Sequence, residues 1–121
     1  MDLHIIDKDF AIYKVSKIDN SIFNNEYVFV GKTDDELSII CEADIVPENV
    51  LQAESGWRCF RIAEDAAFEK YGMIAFLSKI IAKEQTGILV VATYDTDYIL
   101  IKETKFLSVK NALERNECRF I

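Results

Sequence analysis

The chain has 121 residues, half of them apolar and 29% charged, a balance that supplies a buried core and excludes a disordered chain. A formal charge of −7 and an isoelectric point near 4.7 argue against a nucleic-acid or anionic membrane partner. The lysines and arginines are also scattered among acids, not gathered in a patch.

"MDLHIIDKDF" lacks the long apolar core of a signal peptide, and no apolar run reaches membrane-spanning length. Cys41, Cys59 and Cys118 are odd in number, widely spaced and set in apolar stretches. They read as buried free thiols of a reducing compartment, so the expected location is cytoplasmic.

In chain order, "DFAIYKVS" is the first candidate strand, after a start that reads as frayed and holds His4, the single histidine, read as a strand-edge or partly buried residue. "KIDNSIFNNE" is too short for a long helix. "EYVFVGK" and "ELSIICE" form a hairpin, and Pro47 and Gly56 in "DIVPENVLQAESG" mark a linker or a short helical turn. "GWRCFRIA" is the next strand. In "AFEKYGMIAFLSKIIAKEQ", Met73, Phe76, Leu77, Ile80 and Ile81 follow the spacing of an apolar helix face. Asp65 and Glu69 near its start and Lys83 in its last turn suit the helix dipole.

Gln85-Thr86-Gly87 ends that helix. "GILVVAT" and "DYILIKE" then form a second hairpin, with Thr93 to Asp97 at its tip. A helix with Phe106, Val109 and Leu113 on one side fits "TKFLSVKNALERNE", and "CRFI" closes the chain.

The second half therefore reads β-α-β-β-α-β, the split βαβ arrangement of the ferredoxin-like fold, with both helices on one sheet face. The first half reads as an abbreviated copy. At an offset of 61, Lys32 to Ile40 falls on Thr93 to Ile101, so that Asp34 meets Asp95 and Glu36 meets Asp97. The expected architecture is α+β: two ferredoxin-like units in tandem with antiparallel sheets, a first unit over 1–55 and a second over 56–121.

Several motifs fail on inspection. "VGKT" imitates the end of a phosphate-binding loop, but Glu26 stands where its first glycine belongs, and acids and a strand follow. Asp95 and Asp97 do not open a calcium loop, because Ile99 and Leu100 stand where an oxygen ligand and a glycine belong. No serine or cysteine has the surroundings of an activated nucleophile, and a lone histidine cannot build a histidine-rich metal site. Tyr94 and Tyr98 have acidic neighbours, which disfavours RNA. No enzyme activity, metal or cofactor is expected.

"KTDDELSIIC", "GWRCFRI", the Phe68-x-x-x-Gly72 approach to the helix and "ATYDTDYILI" together resemble the small tandem ACT-domain proteins. These are stand-alone relatives of amino-acid-binding regulatory domains, distantly similar to the ACT repeats of the CASTOR arginine sensors. The resemblance runs over nearly the whole chain, most strongly from Glu26 to Ile101.

It implies two ACT units with an amino acid held at their junction. Phe68, Gly72, Met73 and Ile74 would form the loop that grips the ligand's backbone groups. Ser38 and Ile39 would supply the opposite wall, and Thr93, Tyr94 and Asp97 the floor, with Asp97 placed to meet a cationic group. A glycine at a helix start admits a ligand to backbone N–H groups, which agrees with that placement.

The expectation is thus a non-enzymatic amino-acid sensor, possible as a homodimer. The alternative is an oligomerisation or protein-interaction module that has lost its ligand. It rests on Glu69 and Tyr71, which stand where relatives commonly carry small hydroxyl residues. At the hairpin tip, turn chemistry is the ordinary role for Asp95, and ligand contact is the sharper one for Asp97.

Overall fold

Strand β1 (Asp2–Lys14) starts almost at the N-terminus and leads to β2 (Val28–Lys32), β3 (Leu37–Glu42) and β4 (Gln52–Ile62). Helix α1 (Met73–Lys83), β5 (Leu89–Ala92), β6 (Asp97–Lys102), α2 (Glu103–Arg115) and β7 (Arg119–Phe120) complete the chain. Short 3-10 turns at Asn20–Asn24 and Ala43–Ile45 follow β1 and β3. The computed structural model describes residues 1–63 and 72–121. Asp65, Phe68, Glu69 and Tyr71, singled out above, lie outside the described residues.

Two compact units emerge. The helical unit takes Met1–Asp7 and Arg58–Ile121, and the strand-rich unit takes Lys8–Trp57. The sequence reading put all of residues 1–55 in one unit, whereas the first residues of β1 group with the C-terminal half.

The helical unit contains β4-α1-β5-β6-α2-β7, the expected β-α-β-β-α-β succession. Its strand order is β7, β1, β4, β6, β5, so β1 enters as a further strand between β4 and β7. Asp2 and Leu3 pair in parallel with Arg119 and Phe120, and Ala63 N donates to the Asp2 carbonyl at 2.9 Å. A two-residue strand such as β7 offers too few ladder bonds to hold by itself. Arg119 adds a fork to Asp2, with Nε to Oδ1 at 3.1 Å and Nη2 to Oδ2 at 2.8 Å. The N-terminal segment is therefore a strand, not a frayed end, and His4 is half-buried within it.

Both helices pack on one core. Leu77, Ile80 and Ile81 of α1 and Val109, Ala112 and Leu113 of α2 join Phe60, Ile62, Ile99 and Ile101 of the strands. Alternate strand residues reach the same face, and helix residues three or four apart reach it from the other side. Phe76, expected on the buried face, is 41% exposed, while Ile74 packs against the core in its place. Phe106 is half-buried beneath Arg58, whose guanidinium carbon lies 4.6 Å from the ring centroid.

The strand-rich unit has the order β2, β3, β1, β4. Strand β3 is antiparallel to both β2 and β1, with Tyr13 opposite Ile39, and Leu51 N donates to the Lys14 carbonyl at 2.8 Å. Its core is Tyr13, Val15, Ile22, Ile39 and Cys41. Where the helical unit places α1 and α2, this unit has only the two 3-10 turns.

Candidate functional site

The two hairpins close in the same way. Thr93 N donates to the Thr96 carbonyl at 2.8 Å, Thr93 Oγ1 donates to that carbonyl at 2.9 Å, and Thr96 N donates back to Thr93 Oγ1 at 3.3 Å. In the other hairpin Thr33 N donates to the Glu36 carbonyl at 2.9 Å, and Asp35 N and Glu36 N both donate to Thr33 Oγ1 at 3.1 Å. A threonine hydroxyl thus satisfies the backbone of each tip. Asp95, read as the turn-former, is an exposed residue with no such role.

The structural echo between the hairpins has an offset of 60, because Leu37 opens β3 and Asp97 opens β6. The expected offset of 61 aligned Lys32 with Thr93 and so hid the Thr33–Thr93 correspondence. A threonine four residues before each second strand was the signal that would have found it.

The sequence-derived residues fall in different settings. Gly72 is the N-cap of α1 in the left-handed region, at φ 84° and ψ −2°, and accepts a bond from Phe76 N at 2.9 Å. Among the described residues a Cβ added there would meet no atom within 4 Å, so what calls for a glycine here is the backbone conformation. Met73 and Ile74 are partly buried against the helical-unit core. Thr93 is committed to the turn, and Tyr94 is 82% exposed. Asp97 is half-buried at the start of β6, opposite Ala92. Thr96, not selected from the sequence, donates to the Ile62 carbonyl at 2.6 Å. That bond ties the tip to the end of β4, from which the chain runs on toward α1.

Ser38 and Ile39 belong to the strand-rich unit, and neighbouring side chains on a strand point to opposite faces. Ser38 Oγ donates to Glu36 Oε1 at 2.7 Å and lines an open groove of about 600 Å³ with Lys14 and Gln52. Ile39 is 2% exposed and sits in the core. Phe68 lies outside the described residues. Among the described residues, no group of three or more His, Cys, Asp or Glu is arranged to hold a metal ion. No helix there is long and apolar enough to cross a membrane.

The model of the ACT domain matches residues 52–115, more than half of the chain and most of the helical unit. The chain belongs to the ACT-domain family. A second family model, described as an N-terminal domain, matches residues 12–49 of this ACT-domain protein. No curated protein sequence matches it significantly.

Among solved structures, the ACT-domain chain is similar to a protein from Agobacterium tumefaciens, with a TM-score of 0.89, 27% identity and coverage of 99% of this chain and 91% of that one. It is also similar in fold to a Vibrio cholerae protein described as of unknown function and a possible transport protein. There the TM-score is 0.72, with 16% identity over 92% of this chain and 85% of the other. The regulatory subunit of aspartate kinase from Thermus thermophilus, in a ligand-free form, has the same fold at a TM-score of 0.65. Identity there is 9%, over 93% of this chain and 95% of that subunit.

Proposed function

We propose that this chain is a non-enzymatic regulatory module that binds an amino acid. The observation that carries the reading is the ACT-domain match over residues 52–115. The fold shared with a kinase regulatory subunit supports it. The sequence resemblance puts the ligand at Gly72, Met73 and Ile74, with Thr93, Tyr94 and Asp97 below, and draws in Phe68, Ser38 and Ile39.

The chemistry of the described residues suits that assignment in the helical unit. Gly72 opens an eleven-residue helix, whose N-terminal N–H groups and dipole favour a carboxylate. Asp97 offers a carboxylate to an ammonium or a cationic side chain. The first unit, in this proposal, is an ACT-like unit reduced to its strands. The order β2, β3, β1, β4 supports that view, since it keeps the ferredoxin-like arrangement without the helices. A cytoplasmic homodimer completes the proposal.

Thermal melting against the twenty amino acids tests the function. A ligand present at about a hundred times its dissociation constant adds roughly 2.7 kcal/mol, a visible rise for a domain of this size. One amino acid, or a small related group, is expected to raise the melting temperature. A clean melt that none of them shifts overturns the reading.

A further inference from the structure

The strand-rich unit carries a cleft of about 440 Å³. Its origin is topological. Helices of eleven and thirteen residues cover the core face of the helical unit. The corresponding connections here are 3-10 turns of five and three residues, and the cleft lies beside them above the nearly covered Tyr13 and Ile39. Such a volume is within the usual range of small-molecule sites.

The cleft is built in two tiers. Its floor is apolar, formed by the cross-strand pair Tyr13 and Ile39 with Val15 and Ile22. Its rim brings both signs of charge and several amide and hydroxyl groups: Lys17, Asp19, Ser21, Asn25 and Asn49.

The rim groups are partly committed in ways that set their polarity. Asp19 Oδ1 accepts from Ser21 N at 3.0 Å, and that bond holds its carboxyl below the usual carboxylate range. Asn25 Nδ2 donates to the Ile22 carbonyl at 3.0 Å, which leaves the amide oxygen as an acceptor. Acceptors for an ammonium therefore stand beside a lysine, a hydroxyl and an amide that suit a carboxylate.

On the floor, Tyr13 is 2% exposed, and its hydroxyl receives a long 3.9 Å bond from Cys41 Sγ. Cys41 Sγ is the partner within reach of the phenol's own proton, and buried tyrosine hydroxyls usually have one. Burial keeps that proton on the phenol, since it raises the group well above its ordinary range.

We propose that this cleft is a second small-molecule site, and that it takes a zwitterion with an apolar body no larger than a large apolar amino acid. The apolar part rests on Tyr13 and Ile39. The ammonium meets Asp19 and Asn25, and the carboxylate meets Lys17 and a hydroxyl donor. The site shares only Ile39 with the residues of the proposed regulatory site and needs none of the groups around Gly72 or Asp97.

Amide NMR spectra of isotope-labelled full-length protein, titrated with L-leucine and L-phenylalanine at millimolar concentration, test it. The expected result is shifts concentrated over residues 13–25 and 45–49. Lys17→Gln and Asp19→Asn, which each remove one rim charge while the second keeps the turn cap, are each expected to weaken binding about tenfold with little change in melting. The matching analogue without an ammonium, 4-methylpentanoate, is expected to bind weaker than leucine by a similar factor. Shifts confined to residues 72–74 and 93–97 overturn this cleft and leave the proposed regulatory site standing. Absence of shifts anywhere overturns the cleft and, if it extends to all twenty amino acids, the regulatory reading as well. Binding indifferent to both variants also overturns the assignment.

Discussion

Thr96 Oγ1 donates to the carbonyl oxygen of Ile62 at 2.6 Å, joining positions 34 residues apart in sequence. The bond is part-buried and fixes the β5–β6 tip to the end of β4. Thr96→Val keeps the side-chain shape but removes the hydroxyl donor from the Ile62 carbonyl, at a cost of about 1 kcal/mol. Thr93→Val removes more bonds, yet in an exposed turn whose backbone bond from Thr93 N remains. Urea unfolding of the two variants is expected to rank Thr96→Val as the more destabilised.

Gly72 and Gly31 make a matched test of backbone conformation. Among the described residues neither would bring an added Cβ within 4 Å of another atom, but of the two only Gly72 has a positive φ. Gly72→Ala is therefore expected to cost about 1 kcal/mol through backbone strain alone. Gly31→Ala, in an edge strand, is expected to be neutral or slightly stabilising. Equal effects in thermal melts would contradict the assignment of Gly72 to the left-handed region.

The Asp2–Arg119 fork predicts an acid-side dependence. The hydrogen bond from Arg119, with its charge, holds the Asp2 carboxyl below its ordinary value of 3.8 despite an opposing contribution from desolvation. The folded state therefore binds this proton less readily than the unfolded chain. Its contribution is present above the unfolded value and is lost as pH falls through the lower folded value. The pair is solvent-exposed, so the effect is small. Arg119→Gln is expected to lower the urea midpoint at about pH 6 and to converge on the parent protein at about pH 2.5.

The cysteines give a further check. All three are buried, and burial pushes the Cys59 thiol up to about 12 and raises Cys41 as well. Thiolate is the reactive form. A thiol-reactive disulfide reagent at neutral pH is expected to label none of the three in the folded protein and all of them after denaturation. Rapid labelling of Cys59 without unfolding would contradict its position in the core.

The element types were legible because each depends on local pattern. The 3.6-residue spacing of Leu77, Ile80 and Ile81 announces a helix, and the apolar runs around Ile99 and Leu100 announce a strand. Turn chemistry was less legible. Asp, Thr and Ser all cap tight turns, and only the folded structure decides that Thr93 and Thr33 do so here while Asp95 does not. Of the site residues, Gly72 and Asp97 were found at element starts as read. Ser38 and Ile39, adjacent in sequence, go to opposite sheet faces.

By itself the sequence determined the β-α-β-β-α-β succession of the second half and the presence of a second hairpin in the first, though not the register in which the two correspond. Both follow from hydrophobic periodicity within a few turns or strands. Only the tertiary structure decided that Asp2 and Leu3 leave the first unit to pair with Arg119 and Phe120. It also decided that the shortened connections of the strand-rich unit open a cleft over Tyr13. Strand pairing and cavity formation join residues far apart in the chain, and local periodicity carries no information about which distant backbone or side chain will meet them.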